Sequence, residues 1–464
     1  MHTEKEDALD ASFFHFETNP QDGRRDYMRA YILPHPPIAI PEVGGEEIHK
    51  IEATEEAFDK VADDIADYDP ETIVVISPHN VMYRDAFYIA KGPGGEGNLA
   101  RFNAPEPSVY FPYDTELAEE IVSLCNEFDI PVVYSEDDAK IVDHGTFVPL
   151  YYVNRKCGMP KTSPYKIVRI APSLLADDVL YDTGYLIERA IAHIGRRAVI
   201  IASGDLSHKL KEDGPYGFIK EGPEFDKLVT DVMKSGKLEK FADIDKRIND
   251  LSSNRGYPGF VMLAGALQDY KITPDFLSYE GVFGVGYGIC IFECENWYVR
   301  LAKKSLEKYV REGRELGKED TAEFPDFFTS EKAGVFVCIK KDGELRGCIG
   351  TILPSYNNTL EETCALAISA GTSDPRFMPV GAGELDDLVY TVDVMGEPSP
   401  AKVSELDENR YGVIVTSGRR RGLLLPNLEG VDSVQEQIDI ASRKGGISPG
   451  EDIEIERFTV ERHT

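Results

Sequence analysis

Four apolar, β-branched runs predict buried strands in the first half of the chain. They are AYIL before Pro34, TIVVIS before Pro78, KIVRIA before Pro172 and AVIIAS before Gly204. Each run stops at a proline or a glycine, residue types that end strands and begin loops. The pattern therefore predicts four strands whose carboxyl ends are clearly marked.

The segments between these runs have apolar residues at helical spacing. The clearest are IEATEEAFDKVADDIADY, DTELAEEIVSLCNEF and DTGYLIERAIAHIG, and Thr and Asp near the start of the first two are typical helix caps. Strands that alternate with helices pair in parallel and are covered on both faces. We therefore predict an α/β fold with a mostly parallel central sheet flanked by helices.

The pattern changes near Glu295. A basic amphipathic stretch, YVRLAKKSLEKYVREGRELGK, is followed by an acidic aromatic loop and by short strands with turns at KKDG and ELRG. A chain of 464 residues also exceeds the usual size of a single core. We predict an N-terminal tail over 1–27, an α/β domain over 28–294 and a smaller α+β domain over 295–464.

Composition and charge limit which binding partners and which cellular compartment we expect for this chain. With 82 acidic and 50 basic residues, the net charge is -32, which disfavours nucleic acid or an anionic membrane as partner. No apolar window reaches the length of a membrane span, and the acidic start does not resemble a secretory signal, so we expect a cytoplasmic protein. Seven cysteines without a CxxC pair predict reduced thiols.

Histidines follow three of the four predicted strands. His35, His79 and His208 lie just beyond the carboxyl ends, where open α/β sheets bind ligands. Two histidines and one carboxylate suit ferrous iron and leave positions open for dioxygen and a bidentate substrate. Several carboxylates could complete such a site; Glu280 lies beside a glycine-rich turn, and Cys290 is more readily a core residue than a ligand.

Five motifs in order over roughly residues 28 to 294 resemble the LigB/Memo superfamily of class III extradiol dioxygenases. They are LPHPP around His35, SPHN around His79, DHGTFVPL around His144, SGDLSH around His208 and SYEGVFGVGYG around Glu280. The resemblance implies that His35, His79 and Glu280 are the metal ligands. It also implies that His208 is the acid/base residue and that His144 faces the substrate or dioxygen.

This resemblance implies an Fe(II)-dependent oxidoreductase that acts on a small catechol-like or other chelating substrate, with Zn or Cu as alternative metals. Memo proteins are similar over the same stretch but have a cysteine near the third ligand position, where this chain has Glu280. That difference favours the dioxygenase pattern. Asp205 in GDLSH is a candidate to orient His208 by a hydrogen bond, or to cap a following helix.

The C-terminal part resembles the AMMECR family, whose activity is not settled. The resemblance is carried by GVFVCIKKDGELRGCIGT, SDPRFMPVGAGELDDLVYTVDVM and YGVIVTSGRRRGLLLP. Arg346 lies close to Cys348, and a nearby cation can lower a thiol pKa enough to make it nucleophilic. A reactive Cys348 is one hypothesis, and packing in a turn is the other. Arg376 in SDPRF is a further candidate site residue, or it simply pairs with Asp374 or Glu384.

The two modules in one chain resemble the AmmeMemoRadiSam arrangement, in which they accompany a radical S-adenosylmethionine enzyme. No CxxxCxxC motif occurs here, so such an enzyme would be a separate polypeptide. A second hypothesis is therefore a metal-binding partner of that enzyme without dioxygenase turnover. The sequence leaves homo-oligomerisation open.

Overall fold

The structure is a computed structural model that describes residues 27–428 and 430–464. These residues form two compact units, Tyr27–Glu295 and Asn296–Thr464. The predicted boundary between 294 and 295 lies within one residue of this division. Apart from residue 27, the predicted tail lies outside the described residues.

The first unit is built on an eight-stranded sheet in the order β10-β11-β1-β9-β2-β8-β3-β6. Strands β4, β5 and β7 form a separate small sheet. The strands are β1 (Tyr27–Leu33), β2 (Thr72–Ile76), β3 (Phe87–Ala90), β4 (Gly94–Leu99), β5 (Ala104–Pro112), β6 (Val132–Ser135), β7 (Ile141–Val142), β8 (Lys166–Ala171), β9 (Ala198–Ser203), β10 (Tyr270–Glu280) and β11 (Tyr287–Asn296).

The four strands predicted from the apolar runs are β1, β2, β8 and β9, and they lie side by side at the centre of the sheet. Strand β9 pairs in parallel with β1 and with β2, and β2 pairs in parallel with β8. Antiparallel pairing occurs between β1 and β11 and between β3 and β8. The prediction of a mostly parallel sheet is confirmed.

Both faces of the central strands are buried, because alternate side chains of a strand point to opposite faces. In β9, Ile200 and Ala202 belong to one apolar cluster, whereas Val199 and Ile201 belong to another. Helices α3, α5, α6 and α8 contribute to the first cluster, and α2 and α4 to the second. The helices are α1 (Pro41–Gly44), α2 (Glu52–Tyr68), α3 (Thr115–Glu127), α4 (His144–Lys156), α5 (Asp177–His193), α6 (Glu221–Ser235), α7 (Lys246–Ser252) and α8 (Tyr257–Ala266).

The second unit has two antiparallel sheets, in the orders β13-β12-β14-β19 and β15-β18-β16-β17. The basic amphipathic stretch forms its first helix, and the predicted smaller α+β fold is confirmed. Its strands are β12 (Val335–Lys341), β13 (Glu344–Gly350), β14 (Leu388–Met395), β15 (Ser399–Pro400), β16 (Gly412–Ser417), β17 (Arg420–Leu424), β18 (Glu454–Phe458) and β19 (Val460–His463). Its helices are α9 (Trp297–Glu312), α10 (Lys318–Thr321), α11 (Phe327–Ser330), α12 (Thr359–Thr372) and α13 (Val434–Lys444).

A disulfide joins Cys338 on β12 to Cys348 on β13. The two residues lie opposite each other in the antiparallel register of the hairpin, with a Cα–Cα distance of 4.1 Å. The predictions that all cysteines are reduced and that Cys348 is a reactive thiol are therefore wrong for this structure.

The two arginines that were candidates for a site in this unit, Arg346 and Arg376, are both engaged in ion pairs. Arg346 donates to both carboxylate oxygens of Glu384, at 3.1 and 2.9 Å. Arg376 donates to Asp374, at 3.0 and 2.7 Å, and to the carbonyl of Cys348 at 3.1 Å. These contacts hold loops against the hairpin and agree with the structural alternative for Arg376.

No helix among the described residues combines the length and the apolar character needed to cross a membrane.

The disulfide predicts a simple thiol count. Of seven cysteines in the chain, five have free thiols. Alkylation of denatured, unreduced protein should therefore label five cysteines, and prior reduction should raise this number to seven, as read by intact mass. Seven labels without a reductant would contradict the disulfide.

Candidate metal centre

Three imidazoles from distant parts of the chain meet at one edge of the large sheet. His35 follows β1, His79 follows β2 and His144 is the first residue of α4. Because β1 and β2 both lie parallel to β9, their carboxyl ends emerge at the same edge. One ligand atom from each of the three side chains lies within 4.8 Å of the others, close enough to share one ion.

The hydrogen bonds of His35 determine which of its two ring nitrogens is available to bind a cation. Ser203 Oγ donates to the carbonyl of Gly145 at 2.5 Å and also contacts Nδ1 of His35 at 2.9 Å. Because the single hydroxyl proton is used on the carbonyl, Ser203 accepts from Nδ1–H of His35. Nε2 then carries the lone pair, and this atom is buried with no hydrogen-bond partner among the described residues.

The electrostatic environment keeps the three imidazoles neutral near pH 7. Burial lowers the pKa of His35 well below its usual value. Burial, followed by the charge of His144, lowers the pKa of His79 to about 4, and burial, followed by the charge of His35, lowers that of His144 to about 4. Neutral imidazoles are the form that binds metal, so this donor set fits a divalent cation.

Asp143 connects the segments that carry His79 and His144. It is the N-cap of α4 and accepts from the backbone N–H of Thr146 at 3.0 Å. The same carboxylate oxygen accepts from Ser77 Oγ at 2.6 Å, in the loop that leads to His79. Asp143 therefore holds the end of β2 against the start of α4.

A buried arginine completes this connection. Arg169 on β8 is 1% exposed and donates to Asp143 at 3.1 Å, to Asn80 at 3.0 Å and to Tyr113 OH at 2.7 Å. Burial alone raises the pKa of Asp143, but the charge of Arg169 and hydrogen bonds from Ser77 and Thr146 hold it below its usual value. The ion pair thus fixes the residue after His79 and the residue before His144.

Gly145 allows the two segments to approach this closely. A Cβ atom at Gly145 would lie 2.4 Å from Ser77 Oγ, 3.0 Å from Asp143 Oδ1 and 3.3 Å from Cδ2 of His79. The first distance is too short for a real contact, so a side chain here would force the loop and the helix apart. The glycine of the DHG motif is therefore a geometric requirement of the cluster.

Glu280 is not a member of this cluster. Its Oε2 accepts from the backbone N–H of Thr54 at 2.8 Å and from the Thr54 hydroxyl at 2.6 Å. Thr54 lies in the first turn of α2, where backbone N–H groups lack helical partners and favour a negative charge. The expected ligand set of His35, His79 and Glu280 is thus corrected: the structure brings His144, not Glu280, to the other two histidines.

His208 and Asp205 lie beside the three histidines. Burial lowers the pKa of His208, whose Nδ1 lies 3.2 Å from the carbonyl of Leu206. Asp205 accepts from the backbone N–H of His35 at 2.8 Å, and its other oxygen lies 3.9 Å from His35 Nε2. Asp205 therefore positions His35. The sequence led us to expect that Asp205 would orient His208 or cap a following helix, and the hydrogen bond with His35 corresponds to neither role.

Comparison with known proteins now identifies the family. A family model described as the catalytic LigB subunit of aromatic ring-opening dioxygenase matches residues 29–290, more than half of the chain. The chain belongs to the LigB family. A second model, AMMECR1, matches residues 299–463, so the LigB unit is followed by an AMMECR1 unit, as the motifs predicted.

Relatives match different shares of the chain. Protein CA_C1420 of Clostridium acetobutylicum is 41% identical over 469 residues, covering 93% of this chain and 98% of that protein. A protein of Thermotoga maritima is 49% identical over 172 residues, or 36% of this chain and 98% of its own length. Neither name states an activity.

Two solved structures are similar to parts of the chain. PH0010 of Pyrococcus horikoshii is 33% identical and covers 36% of this chain and 90% of its own, with a TM-score of 0.32. JW3007 of Escherichia coli K12 is 15% identical and covers 57% of this chain and 99% of its own, with a TM-score of 0.39. TM-scores this low carry no argument about fold or function.

Asp226 on α6 is a buried group of the LigB unit that sequence reasoning missed. It accepts from the backbone N–H of Ser207 at 2.7 Å and from Tyr279 OH at 2.7 Å. It therefore connects the residue before His208 to the residue before Glu280. Burial raises the pKa of Asp226 to about 7, although both hydrogen bonds lower it.

Other missed residues left signals in the sequence. Asp143 and Ser203 stand within the DHG and SGD motifs, and an acid directly before a helical His or a serine at a strand end is a natural hydrogen-bonding position. Arg169 is a charged residue inside the apolar run KIVRIA, which indicates a buried, paired cation. Asp226 has no comparable signal, because it lies in an ordinary acidic helix.

We predict that Gly145→Ala weakens metal binding by the LigB unit roughly tenfold or more, as expected when the support around metal ligands is displaced. Gly259→Ala is the matched control, because a Cβ there meets Ile76 Cγ2 at 3.4 Å, an ordinary contact. Zn(II) affinity would be measured by competition with a chromogenic chelator. Equal affinities for the two variants would contradict the role assigned to Gly145.

We also predict a pH-dependent stability difference between wild type and Asp226→Asn. The folded-state pKa of about 7 exceeds the ordinary value of 3.8, so protonated Asp226 stabilises the fold below pH 4, and this contribution is lost as the pH rises through 7. The loss is on the order of 4 kcal/mol and is absent from the Asn variant. Melting temperatures measured from pH 5 to 8 should therefore increasingly favour Asp226→Asn as the pH rises to 7; a constant difference would contradict the raised pKa.

Proposed function

We propose that the LigB unit is a metal-dependent oxidoreductase of the ring-opening dioxygenase type that acts on a small, catechol-like chelating substrate. His35, His79 and His144 would hold one divalent ion, with Fe(II) as the first expectation. His208 would act as the acid/base residue. Two findings support this proposal: the geometry of the three-histidine cluster and the membership of the LigB family.

One observation carries the proposal. His35 Nε2 is buried, lacks a hydrogen-bond partner among the described residues and bears the lone pair, because Nδ1–H is directed to Ser203. A buried acceptor atom without a partner lowers the stability of the fold unless a bound ligand or ion contacts it. Two further neutral imidazoles adjoin it. A divalent cation satisfies all three groups at once.

The side chains around the ion have definable roles. A bound metal would act as a Lewis acid that lowers the pKa of a chelating substrate hydroxyl. It would also provide a binding site for dioxygen. His208, whose pKa is lowered by burial, is neutral near pH 7 and able to accept a proton from that hydroxyl. Ser203 and Asp205 keep His35 oriented through its Nδ1 and backbone N–H.

A cavity of about 420 Å³ lies in the same unit, and none of His35, His79, His144 and His208 is among the residues that line it. Three segments line it, and they follow His35, His208 and Glu280 in the chain. Its walls are mostly apolar, with one lysine and one aspartate: Ile38, Lys211, Asp213, Gly214, Pro215, Val282, Phe283, Val285 and Tyr287.

A second function is favoured by the absence of a carboxylate from the cluster. Ferrous dioxygenases typically use two histidines and one carboxylate, whereas three histidines also suit Zn, and Cu binds imidazole well. On this alternative the chain is a Memo-like metal-binding partner of a separate radical S-adenosylmethionine enzyme, without dioxygenase turnover. The two functions share the metal site and differ in their use of dioxygen.

The test uses full-length protein purified without oxygen and loaded with Fe(II). With catechol and air-saturated buffer, we expect oxygen uptake and a yellow ring-opened product. His79→Ala should lose both metal and turnover. His208→Gln should keep the metal but lose at least about 100-fold in rate, as removal of an acid/base group does. His49→Gln, at an exposed histidine outside the cluster, is the control and should behave as wild type.

The outcomes separate the two functions. Metal bound with no oxygen uptake from any catechol would favour the partner role and overturn the dioxygenase. Failure of wild type to bind any divalent metal, or full binding by His79→Ala, would overturn both.

A further inference from the structure

The cavity of about 420 Å³ in the LigB unit has two buried lining residues, Val285 and Tyr287, which are 6% and 4% exposed. The remaining wall comes from Ile38, from the loop 211–215 and from the turn that holds Val282. The histidine side chains of the metal centre do not contribute to it. The cavity is therefore a concave site of its own.

The walls of this cavity are held in place by contacts between two loops. The backbone N–H of Leu210 donates to the carbonyl of Gly284 at 3.2 Å, and Lys211 Nζ donates to the carbonyl of Val282 at 2.6 Å. A Cβ atom at Gly284 would lie 3.3 Å from the Cα of Gly214, so the two backbones nearly touch. The cavity is thus preformed, as small-molecule sites usually are.

The hydroxyl of Tyr287 is a polar group without a partner in this cavity. It forms no hydrogen bond with any residue that the structure describes, and it is not fully enclosed, so it is open to a ligand. Burial, followed by the charge of Asp205, raises the pKa of Tyr287, so the phenol stays protonated and can both donate and accept. A ligand that excludes water from this hydroxyl must offer a hydrogen-bonding atom in return.

The charges at the cavity favour a neutral ligand. Lys211 and Asp213 are the charged residues among those that line it, and their opposite charges balance. The ammonium group of Lys211 already binds the carbonyl of Val282. The net charge of -32 also repels anions. The mostly apolar wall then suits a ring or a short hydrocarbon chain.

We propose that this cavity binds a neutral, largely apolar small molecule through a hydrogen bond between Tyr287 and a hydroxyl or carbonyl group of that molecule. The site is additional to the metal centre and does not require a metal. The loop that lines it continues to Tyr216, whose ring packs against that of His208 with the centroids 5.0 Å apart. A bound molecule would therefore contact the loop that packs against His208.

Binding is measured by equilibrium dialysis of full-length protein, once stripped of metal by a chelator and once loaded with Zn(II). The probes 2-naphthol, naphthalene and 2-naphthoate share one fused ring and differ in a single group. We expect one molecule of 2-naphthol to bind per chain, about fivefold more tightly than naphthalene, as one neutral hydrogen bond contributes. The anion 2-naphthoate should bind more weakly than 2-naphthol, and metal should not change any affinity.

Variants locate the bound probe. Tyr287→Phe should lower the affinity for 2-naphthol about fivefold and leave that for naphthalene unchanged. Tyr181→Phe is the matched control, because Tyr181 on α5 lies outside the cavity and its hydroxyl also forms no hydrogen bond among the described residues. Val282→Trp adds volume to the wall and should weaken the binding of every probe roughly tenfold or more. His79→Ala should bind 2-naphthol as wild type does.

Several results would overturn this ligand site. Equal affinities for 2-naphthol and naphthalene, tighter binding of 2-naphthoate, or wild-type affinity in Tyr287→Phe would remove the role of the hydroxyl. Binding that disappears without metal or in His79→Ala would place the probe at the metal centre instead. The lack of saturable binding by any probe would also contradict the site. None of these results bears on the proposed metal-dependent function, whose test measures bound metal and oxygen uptake.

Discussion

The buried ion pair between Asp143 and Arg169 is the contact on which the site depends. It joins strand β8 to the start of α4 and, through Asn80, to the loop after β2. A buried pair of this kind contributes little net stability, because removing two charges from water offsets their attraction. Its value is geometric, since breaking it would leave a buried charge unpaired and release the segments that carry His79 and His144.

The neighbouring contacts set the chemical state of the ligands. Ser203 has a single proton, gives it to the carbonyl of Gly145 and so fixes the tautomer of His35. Burial and the charges of the neighbouring imidazoles together lower the pKa of the three histidines, of which His79 stays solvent-exposed, and the absence of a side chain at Gly145 lets two ligand segments touch. Backbone geometry, tautomer and charge all favour one cation at this edge of the sheet. A site of three neutral ligands would leave a divalent ion its full positive charge, which suits an anionic chelating ligand.

Much of this arrangement could be predicted from the sequence, because it follows from local patterns. Strands β1, β2, β8 and β9 are apolar, β-branched runs, and parallel strands place the residues after them at one edge, so the proximity of His35 and His79 was foreseeable. The position of Glu280 was not foreseeable. Its partner Thr54 is 226 residues away, and Glu280 binds there because Thr54 lies in the first turn of helix α2. The disulfide was missed for a geometric reason: an irregularity between Ile339 and Lys340 shifts the hairpin register by one residue and brings Cys348, rather than Gly347, opposite Cys338.

X-ray absorption at the zinc edge, on full-length protein loaded with one equivalent of Zn(II), tests the central claim most directly. The structure predicts outer-shell scattering from three imidazoles per ion, with Zn–N distances of about 2.0–2.1 Å. Scattering from two imidazoles or fewer would contradict the shared site of His35, His79 and His144.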